Sequence, residues 1–170
     1  MIRNAVEQDL SEILTIYNDA ILNTTAVYHY DEKTIEERKS WFAGKMANQE
    51  PVLVYEELGK VFGFATYGTF RPWPAFKYAI EHSIYVSSTG KGKGIGSQLL
   101  KELIDIASER GIKTMVAGID TSNPASIALH EKFGFTHSGT IQNAGYKFGR
   151  WLDLAFYQLD FPGPKNPVEG

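Results

Sequence analysis

The chain has no cysteine among its 170 residues, which excludes disulfide bridges, thiolate metal sites and a cysteine nucleophile, and fits a reducing cytoplasmic setting. No apolar run approaches the roughly 18 residues that a membrane-spanning helix needs. The opening Met1-Ile2-Arg3-Asn4 lacks the apolar core of a secretion signal. Charge of one sign is not in excess: 17 Lys and Arg against 20 Asp and Glu leave a formal net charge of −3. A nucleic-acid-binding surface is therefore not expected. No His, Asp and Glu fall at metal-ligand spacing, so no metal is expected. The common nucleotide fingerprints are missing too. No glycine opens G-x-x-x-x-G-K-[ST], and G-x-G-x-x-G counted from Gly90, Gly92 or Gly94 ends on Ile95, Ser97 or Leu99. What is present is 43% hydrophobic residues in a length suited to one well-buried core.

Periodicity divides that length into short alternating elements. A strand at 2–5 leads to Asp9-Leu10-Ser11-Glu12, a variant capping box, and Leu10, Ile13, Leu14, Tyr17 and Ile21 then recur at helical spacing. An irregular aromatic stretch at 23–30 precedes Thr34-Ile35-Glu36-Glu37, which caps a second helix with Ile35, Phe42 and Met46 on one face. Residues 52–56 and 61–69 read as a hairpin about Leu58-Gly59-Lys60. A strand at 78–86, a helix over 98–107 and an apolar strand at 113–120 follow. Asn123-Pro124 opens a further helix that Gly134 stops, and 135–141 with 151–159 form a last antiparallel pair. With no repeat and no linker, the reading is one α/β domain over 1–161, a central mixed and mostly antiparallel sheet flanked by helices. Residues 162–170 are a flexible polar tail.

The junction between the 78–86 strand and the next helix carries the chemistry. Lys91-Gly92-Lys93-Gly94-Ile95-Gly96-Ser97 puts glycines where a backbone turns tightly and brings its N–H groups close to a ligand. A helix opening there offers unpaired donors and a positive dipole end, and two lysines add charge. The segment reads as a pyrophosphate cradle, or else as a glycine-rich turn that binds nothing. Ahead of it, alternation places Glu81, Ser83 and Tyr85 on one strand face and Ile80, His82, Ile84 and Val86 on the other. A carboxylate in the middle of an apolar strand is costly unless solvated, paired or functional.

Lys91-Gly92-Lys93-Gly94-Ile95-Gly96 resembles the acetyl-CoA pyrophosphate motif Q/R-x-x-G-x-G/A of the GNAT superfamily of N-acyltransferases, with Lys91 where that family prefers Gln or Arg. Asn123-Pro124-Ala125-Ser126-Ile127-Ala128-Leu129-His130-Glu131-Lys132-Phe133-Gly134-Phe135 is similar to its second signature, N-x-x-A-x-x-L-[YH]-x-x-x-G-F. The order of elements resembles these enzymes throughout. The stretch from Tyr78 to Val86 and Gly149-Arg150-Trp151-Leu152-Asp153-Leu154 are similar to the branch that acetylates phosphinothricin, methionine sulfoximine and methionine sulfone.

The resemblance implies an acetyl-CoA-dependent N-acetyltransferase acting by direct transfer on a small amino-acid-like amine, and a homodimer. Glu81 matches the family's general base. Ile84, Tyr85 and Val86 match the backbone that pairs with the pantetheine arm, and Lys91, Gly92, Lys93, Gly94, Ile95, Gly96 and Ser97 match the diphosphate site. Asn123 is a pantetheine contact or a plain helix cap. His130 stands where many members carry a thiolate-protonating Tyr, or serves only its helix end. Tyr28, Arg71, Pro74, Ala75 and Phe76 border the acceptor, with Arg71 the first choice for a carboxylate and Lys77 and Arg150 the alternatives. Two other readings stay open: a protein or peptide N-acetyltransferase, and a non-catalytic acyl-CoA sensor, which needs no Glu81.

Overall fold

Seven strands hydrogen-bond in the order β1-β2-β3-β4-β5-β7-β6 in a computed structural model that describes residues 1–170. The strands are β1 Ile2–Asn4, β2 Val52–Glu57, β3 Lys60–Thr69, β4 Ala79–Val86, β5 Thr114–Asp120, β6 Thr136–Lys147 and β7 Arg150–Asp160. Four helices join them: α1 Leu10–Asn23, α2 Ile35–Ala47, α3 Ile95–Glu109 and α4 Pro124–Lys132. The β1–β2, β2–β3, β5–β7 and β6–β7 pairs are antiparallel, whereas β4 and β5 run parallel. Residues cluster into two compact units. One is formed by Met1–Tyr67 with Ser83–Leu103, the other by Gly68–His82 with Ile104–Gly170.

In the first unit, Leu10, Ile13 and Ile16 of α1 pack with Val52 and Val54 of β2 and with Val61 and Phe64 of β3. The β2–β3 hairpin turns at Leu58 and Gly59, both left-handed at φ 52° and 75°, the geometry that matches strand twist. The expected cap of α1 is replaced. Asp9 ends a short 3-10 turn, and its carboxylate accepts from Val6 N at 2.8 Å and from both terminal nitrogens of Arg3 at 2.7 and 2.9 Å. Arg3 also donates to Glu56 at 2.7 Å, so one guanidinium ties β1, the turn and β2 together. Helix α2 differs from its expected apolar stripe as well: Met46 is exposed, while Trp41 joins Ile35 and Phe42 against the core. Arg38, one turn after Ile35, is buried beside them.

In the second unit, β5 runs against β7 over its whole length, from Thr114↔Asp160 to Asp120↔Leu154. Met115, Ala117 and Ile119 bury one face with Ala155 and Tyr157. The last hairpin extends beyond the expected 135–141 and 151–159. A bulge between Ile141 and Gly145 absorbs the polar run, Asn143 taking φ 54°, and the chain turns at Phe148 and Gly149. Residues 161–170 form no helix or strand, yet Val168 N donates to the Tyr78 hydroxyl at 3.0 Å.

Gly63 on β3 is a position of close backbone approach. A β-carbon there meets Ile95 Cγ2 at 3.0 Å, the Tyr85 carbonyl at 3.1 Å and Leu99 Cδ1 at 3.2 Å. The carbonyl belongs to backbone and cannot swing aside. Gly63→Ala is therefore expected to destabilise the protein by about 1–3 kcal/mol, as overpacking does, read as a lower urea midpoint. A midpoint equal to wild type would show that α3 moves away freely.

Candidate active site

The glycine turn has the form its spacing implies. Ser87 caps a short 3-10 turn at Ser88–Gly90, accepting from Gly90 N at 3.1 Å. Gly92 and Gly94 then take φ +79° and +73°, a region that strains residues with a β-carbon, and a β-carbon at either meets nothing within 4 Å. Helix α3 starts at once, and Ile95 is buried and anchors its first turn. Its first intrahelical bond runs from Gln98 N to Gly94 O at 3.1 Å. The N–H groups before it have no intrahelical acceptor and lie at the positive end of the helix. Lys91 and Lys93 are exposed, with Lys93 Nζ 5.2 Å from the Phe62 ring centre.

Strand β4 leads into that turn. Its parallel pairing with β5 covers Ala79↔Thr114, Ile80↔Met115 and Glu81↔Val116, and it ends there. Glu81 is half-buried, and burial lifts its carboxyl above the ordinary carboxylate range while the Arg71 charge pulls it back. The carboxylate lies over Gly118: a β-carbon at that glycine would sit 3.7 Å from Glu81 Oε2. On the same sheet face a cleft of about 500 Å³ is lined by Phe70, Phe76, Ala79, Val116, Ile141, Phe156 and Gln158 among others. Val116, the register partner of Glu81, is part of its wall. Pro74–Phe76 is a 3-10 turn, and Phe76 packs edge-on against Phe70 at 6.4 Å between ring centres. Arg71 stacks over Phe70 at 4.1 Å and donates to its carbonyl at 2.6 Å. Thus Glu81, Arg71 and the Phe76 loop come together.

The opposite face of β4 holds His82, buried and paired with His130 of α4. The two Nε2 atoms are 2.9 Å apart, His82 Nδ1 is 3.1 Å from Val116 O, and His130 Nδ1 is 2.6 Å from Ser126 O. Two neutral imidazoles carry two ring protons for these three contacts. The short contact to the Ser126 carbonyl requires the proton on His130 Nδ1, so His130 Nε2 accepts from His82 Nε2. The Val116 contact gains a proton only if the pair takes up one more. Burial, aided by His130, opposes that charge and pushes His82 down to about 3; burial likewise lowers His130.

The remaining expected residues are distributed as follows. Asn123 caps α4, its side-chain oxygen accepting from Ser126 N at 3.2 Å. Tyr28 is exposed in the segment between α1 and α2. Lys77 donates to Gly170 O at 3.2 Å, and Arg150 to Ser122 Oγ at 2.8 Å and Asp120 Oδ2 at 3.2 Å, so neither alternative cation is collected with Arg71 and Glu81. No group of three or more His, Cys, Asp or Glu side chains is arranged to hold a metal ion. No helix is long and apolar enough to cross a membrane. The residue that sequence reading passed over is Arg38. Its signal was present: a cation at the i+3 position of a stripe that otherwise reads Ile35, Trp41 and Phe42.

A glycine turn feeding a helix N-terminus and a strand bearing a half-buried carboxyl are both features an acyltransferase uses. The family model for an acetyltransferase (GNAT) domain matches residues 2–156. The chain belongs to the GNAT acetyltransferase family and is an N-acetyltransferase. It is 46% identical over 160 residues to an L-methionine sulfoximine/L-methionine sulfone acetyltransferase of Pseudomonas paraeruginosa, covering 94% of this chain and 93% of that one. A crystal structure of an N-acetyltransferase from Staphylococcus aureus Mu50 is 62% identical, with TM-score 0.93 and coverage of 94% of this chain and 97% of the other. A phosphinothricin acetyltransferase from Sinorhizobium meliloti in complex with acetyl-CoA is 38% identical, with TM-score 0.95 over 100% of this chain and 94% of its own.

The depressed histidine gives stability a definite pH dependence. Between about pH 6.5 and 3 the unfolded chain binds the His82 proton and the folded chain does not, so stability falls as pH drops through that window. His82→Gln is expected to flatten the dependence of unfolding free energy on pH between 7 and 5, measured by urea denaturation. An unaltered slope would assign the acid sensitivity to other groups.

Proposed function

We propose that this enzyme transfers the acetyl group of acetyl-CoA directly to the α-amine of a small polar amino acid of the methionine sulfone, methionine sulfoximine or phosphinothricin type. The observation that carries this reading is Glu81, a carboxyl whose affinity for protons is raised by burial and whose register partner Val116 lines a cleft of about 500 Å³ with mainly apolar walls. An amino-acid ammonium has no lone pair until it loses a proton, and a carboxylate directly in reach or one water away accepts it. The amine nitrogen then bonds to the thioester carbonyl carbon, the carbon–sulfur bond breaks, and the sulfur takes up a proton. Holding both reactants together supplies much of the acceleration, and the chain has no cysteine for a covalent relay.

In this reading the main chain of Ile84, Tyr85 and Val86, beyond the last β5 pair, extends along the pantetheine arm as an added strand would. One N–H there faces the developing oxyanion, where a preorganised donor contributes roughly 2.7–4 kcal/mol. Gly92 to Ser97 hold the diphosphate through main-chain donors, with Lys91 and Lys93 as point charges. Asn123 meets the pantetheine arm with its amide nitrogen while its oxygen caps α4. His130, with its ring proton held on Nδ1 against Ser126 O, serves as proton source only by breaking that contact. Arg71 grips the acceptor carboxylate, and Tyr28, Pro74, Ala75 and Phe76 border it. Residues 1–161 are the catalytic domain and 162–170 its tail; the absence of cysteine fits work in the cytoplasm.

A homodimer completes the proposal. Tyr146 and Trp151 are register partners on β6 and β7 with ring centres 5.1 Å apart, and with Phe148 they stay at least half exposed. Exposed aromatic clusters of this kind fit interface cores. Trp151→Glu is expected to convert the dimer to monomer in sedimentation; a monomeric wild type would end that part of the proposal.

The reading is tested by free-thiol release with acetyl-CoA across amino acids and short peptides. Glu81→Gln is expected to lower kcat by ~10²-fold or more while acetyl-CoA affinity stays near wild type. Because burial raises the Glu81 pKa, the acidic limb of the wild-type kcat/KM profile lies above the ordinary carboxylate range, rate rising as the base deprotonates. Glu81→Gln removes that limb. A variant with wild-type kcat and the same limb would dismiss Glu81 as the base, and turnover with peptides alone would replace the acceptor.

A further inference from the structure

Residues 162–170 include Pro162, Pro164 and Pro167. Each proline fixes its own φ, so the segment loses less conformational freedom on ordering than an unrestrained tail would. It forms no helix or strand, yet it follows a definite path over the second compact unit. Phe161 N donates to Lys113 O at 2.8 Å, and Lys113 Nζ donates back to Phe161 O at 2.7 Å. Gly163, left-handed at φ 73°, lies against the Lys113 side chain: a β-carbon there would be 2.9 Å from Lys113 Cδ. Pro164 then passes Gly111, where a β-carbon would be 3.9 Å from Pro164 Cβ. The path reaches the start of β4. Val168 N donates to the Tyr78 hydroxyl at 3.0 Å, and that hydroxyl donates to Val168 O at 3.4 Å. One phenol thus meets both backbone groups of one residue.

Tyr78 ends the loop 70–78, which carries Arg71 and the Pro74–Phe76 turn between β3 and β4. Phe70 N donates to Ala79 O at 3.2 Å and closes that loop at its base. The Tyr78 carbonyl is held by the start of β5, accepting from Lys113 N at 2.8 Å and Thr114 N at 3.3 Å. Above this base, residues 71–76 are all exposed. Phe76 rests edge-on against Phe70, which in turn stands edge-on to Phe156 at 6.4 Å, and all three rings line the cleft. An exposed loop with few buried contacts opens at low free energy. The bond between Tyr78 and residue 168 adds a fixed point two residues from Phe76, and Lys77 adds another through Gly170 O at 3.2 Å.

We infer that Tyr78, latched to residue 168, is a positioning residue for the acceptor: the strap formed by residues 162–168 holds the loop in the arrangement that keeps Phe76 in the cleft wall and Arg71 beside Glu81. This rests on the acceptor site of the proposed function. Unlatched, the loop spreads over other arrangements, and apparent affinity for the acceptor falls by the fraction that stays competent. The strap bonds to Lys77, Tyr78 and Lys113, none of them among the residues proposed to hold acetyl-CoA, so its effect is confined to the acceptor.

Two variants of the whole chain break the latch from opposite sides. Tyr78→Phe removes the hydroxyl, and Val168→Pro removes the N–H at an exposed position. With methionine sulfone as acceptor, each is expected to raise the acceptor KM about threefold, in keeping with one exposed hydrogen bond. The kcat and the KM for acetyl-CoA are expected to stay at wild-type values, and the double variant to match the singles, because both cut one contact. Amide hydrogen exchange gives a readout that needs no turnover. Phe76 N and Lys77 N, which donate to Trp73 O at 3.0 Å and Pro74 O at 3.2 Å, are expected to exchange about threefold faster in both variants. Unchanged exchange, or faster exchange with the acceptor KM intact, overturns the inference. Equal losses for both substrates make the latch merely structural and overturn it too. A wild type that acetylates peptides and no amino acid overturns the proposed acceptor alone, and the same KM comparison made with the peptide then decides the strap.

Discussion

Parallel pairing between β4 and β5 lasts for three residue pairs and stops at Glu81 and Val116. Everything proposed for this enzyme depends on that short ladder. It holds the carboxyl-bearing position in a fixed register, and it leaves the backbone that follows without a β5 partner. A shift of one residue would send Glu81 to the His82 face and bring the core side chains to the cleft, since the strand period is two. The register is protected by what each face buries: Ile80 and His82 on one side, an apolar-walled cleft on the other.

Burial acts on five ionisable groups in and around this strand, and always against charge. It raises Glu81 and Tyr85 and lowers His82, His130 and Arg38. The scaffold treats its partly buried cations differently. Arg3 is bound by Asp9 and Glu56, and Lys45 by Glu50 and the Tyr67 carbonyl. Those pairs tie elements together. Glu81 and Arg38 form no such ion pair, and of the two Glu81 is the one proposed to act on the substrate.

Much of the architecture was legible from residue patterns. Leu58-Gly59 implied a hairpin turn, Asn123-Pro124 a helix start, and the lysine–glycine run a helix N-terminus; all three stand where the spacing put them. The misses have local causes. Asp9 looked like a cap for α1, but Arg3, distant from view in a pattern of neighbours, claims both carboxylate oxygens. The β6–β7 hairpin runs longer than its apolar alternation because a bulge hides the polar run 142–145 inside a strand. Met46 was counted in the α2 core and is exposed, while Arg38 took a core place that charge seemed to deny it.

The amino-acid order alone determined which chemistry was available: a carboxyl mid-strand, glycines able to turn left-handed, no thiol, and the signatures of an acyltransferase family. Those follow from side-chain identity and from periods of two and 3.6 residues, which are local properties. The tertiary structure alone decided which charges are paired and which are stranded in low dielectric. Arg71 was drawn toward Glu81, Arg150 toward Asp120, His82 toward His130, and Arg38 was shut between two rings. Desolvation and hydrogen-bond partners depend on residues far apart in the chain, so no local pattern contains them.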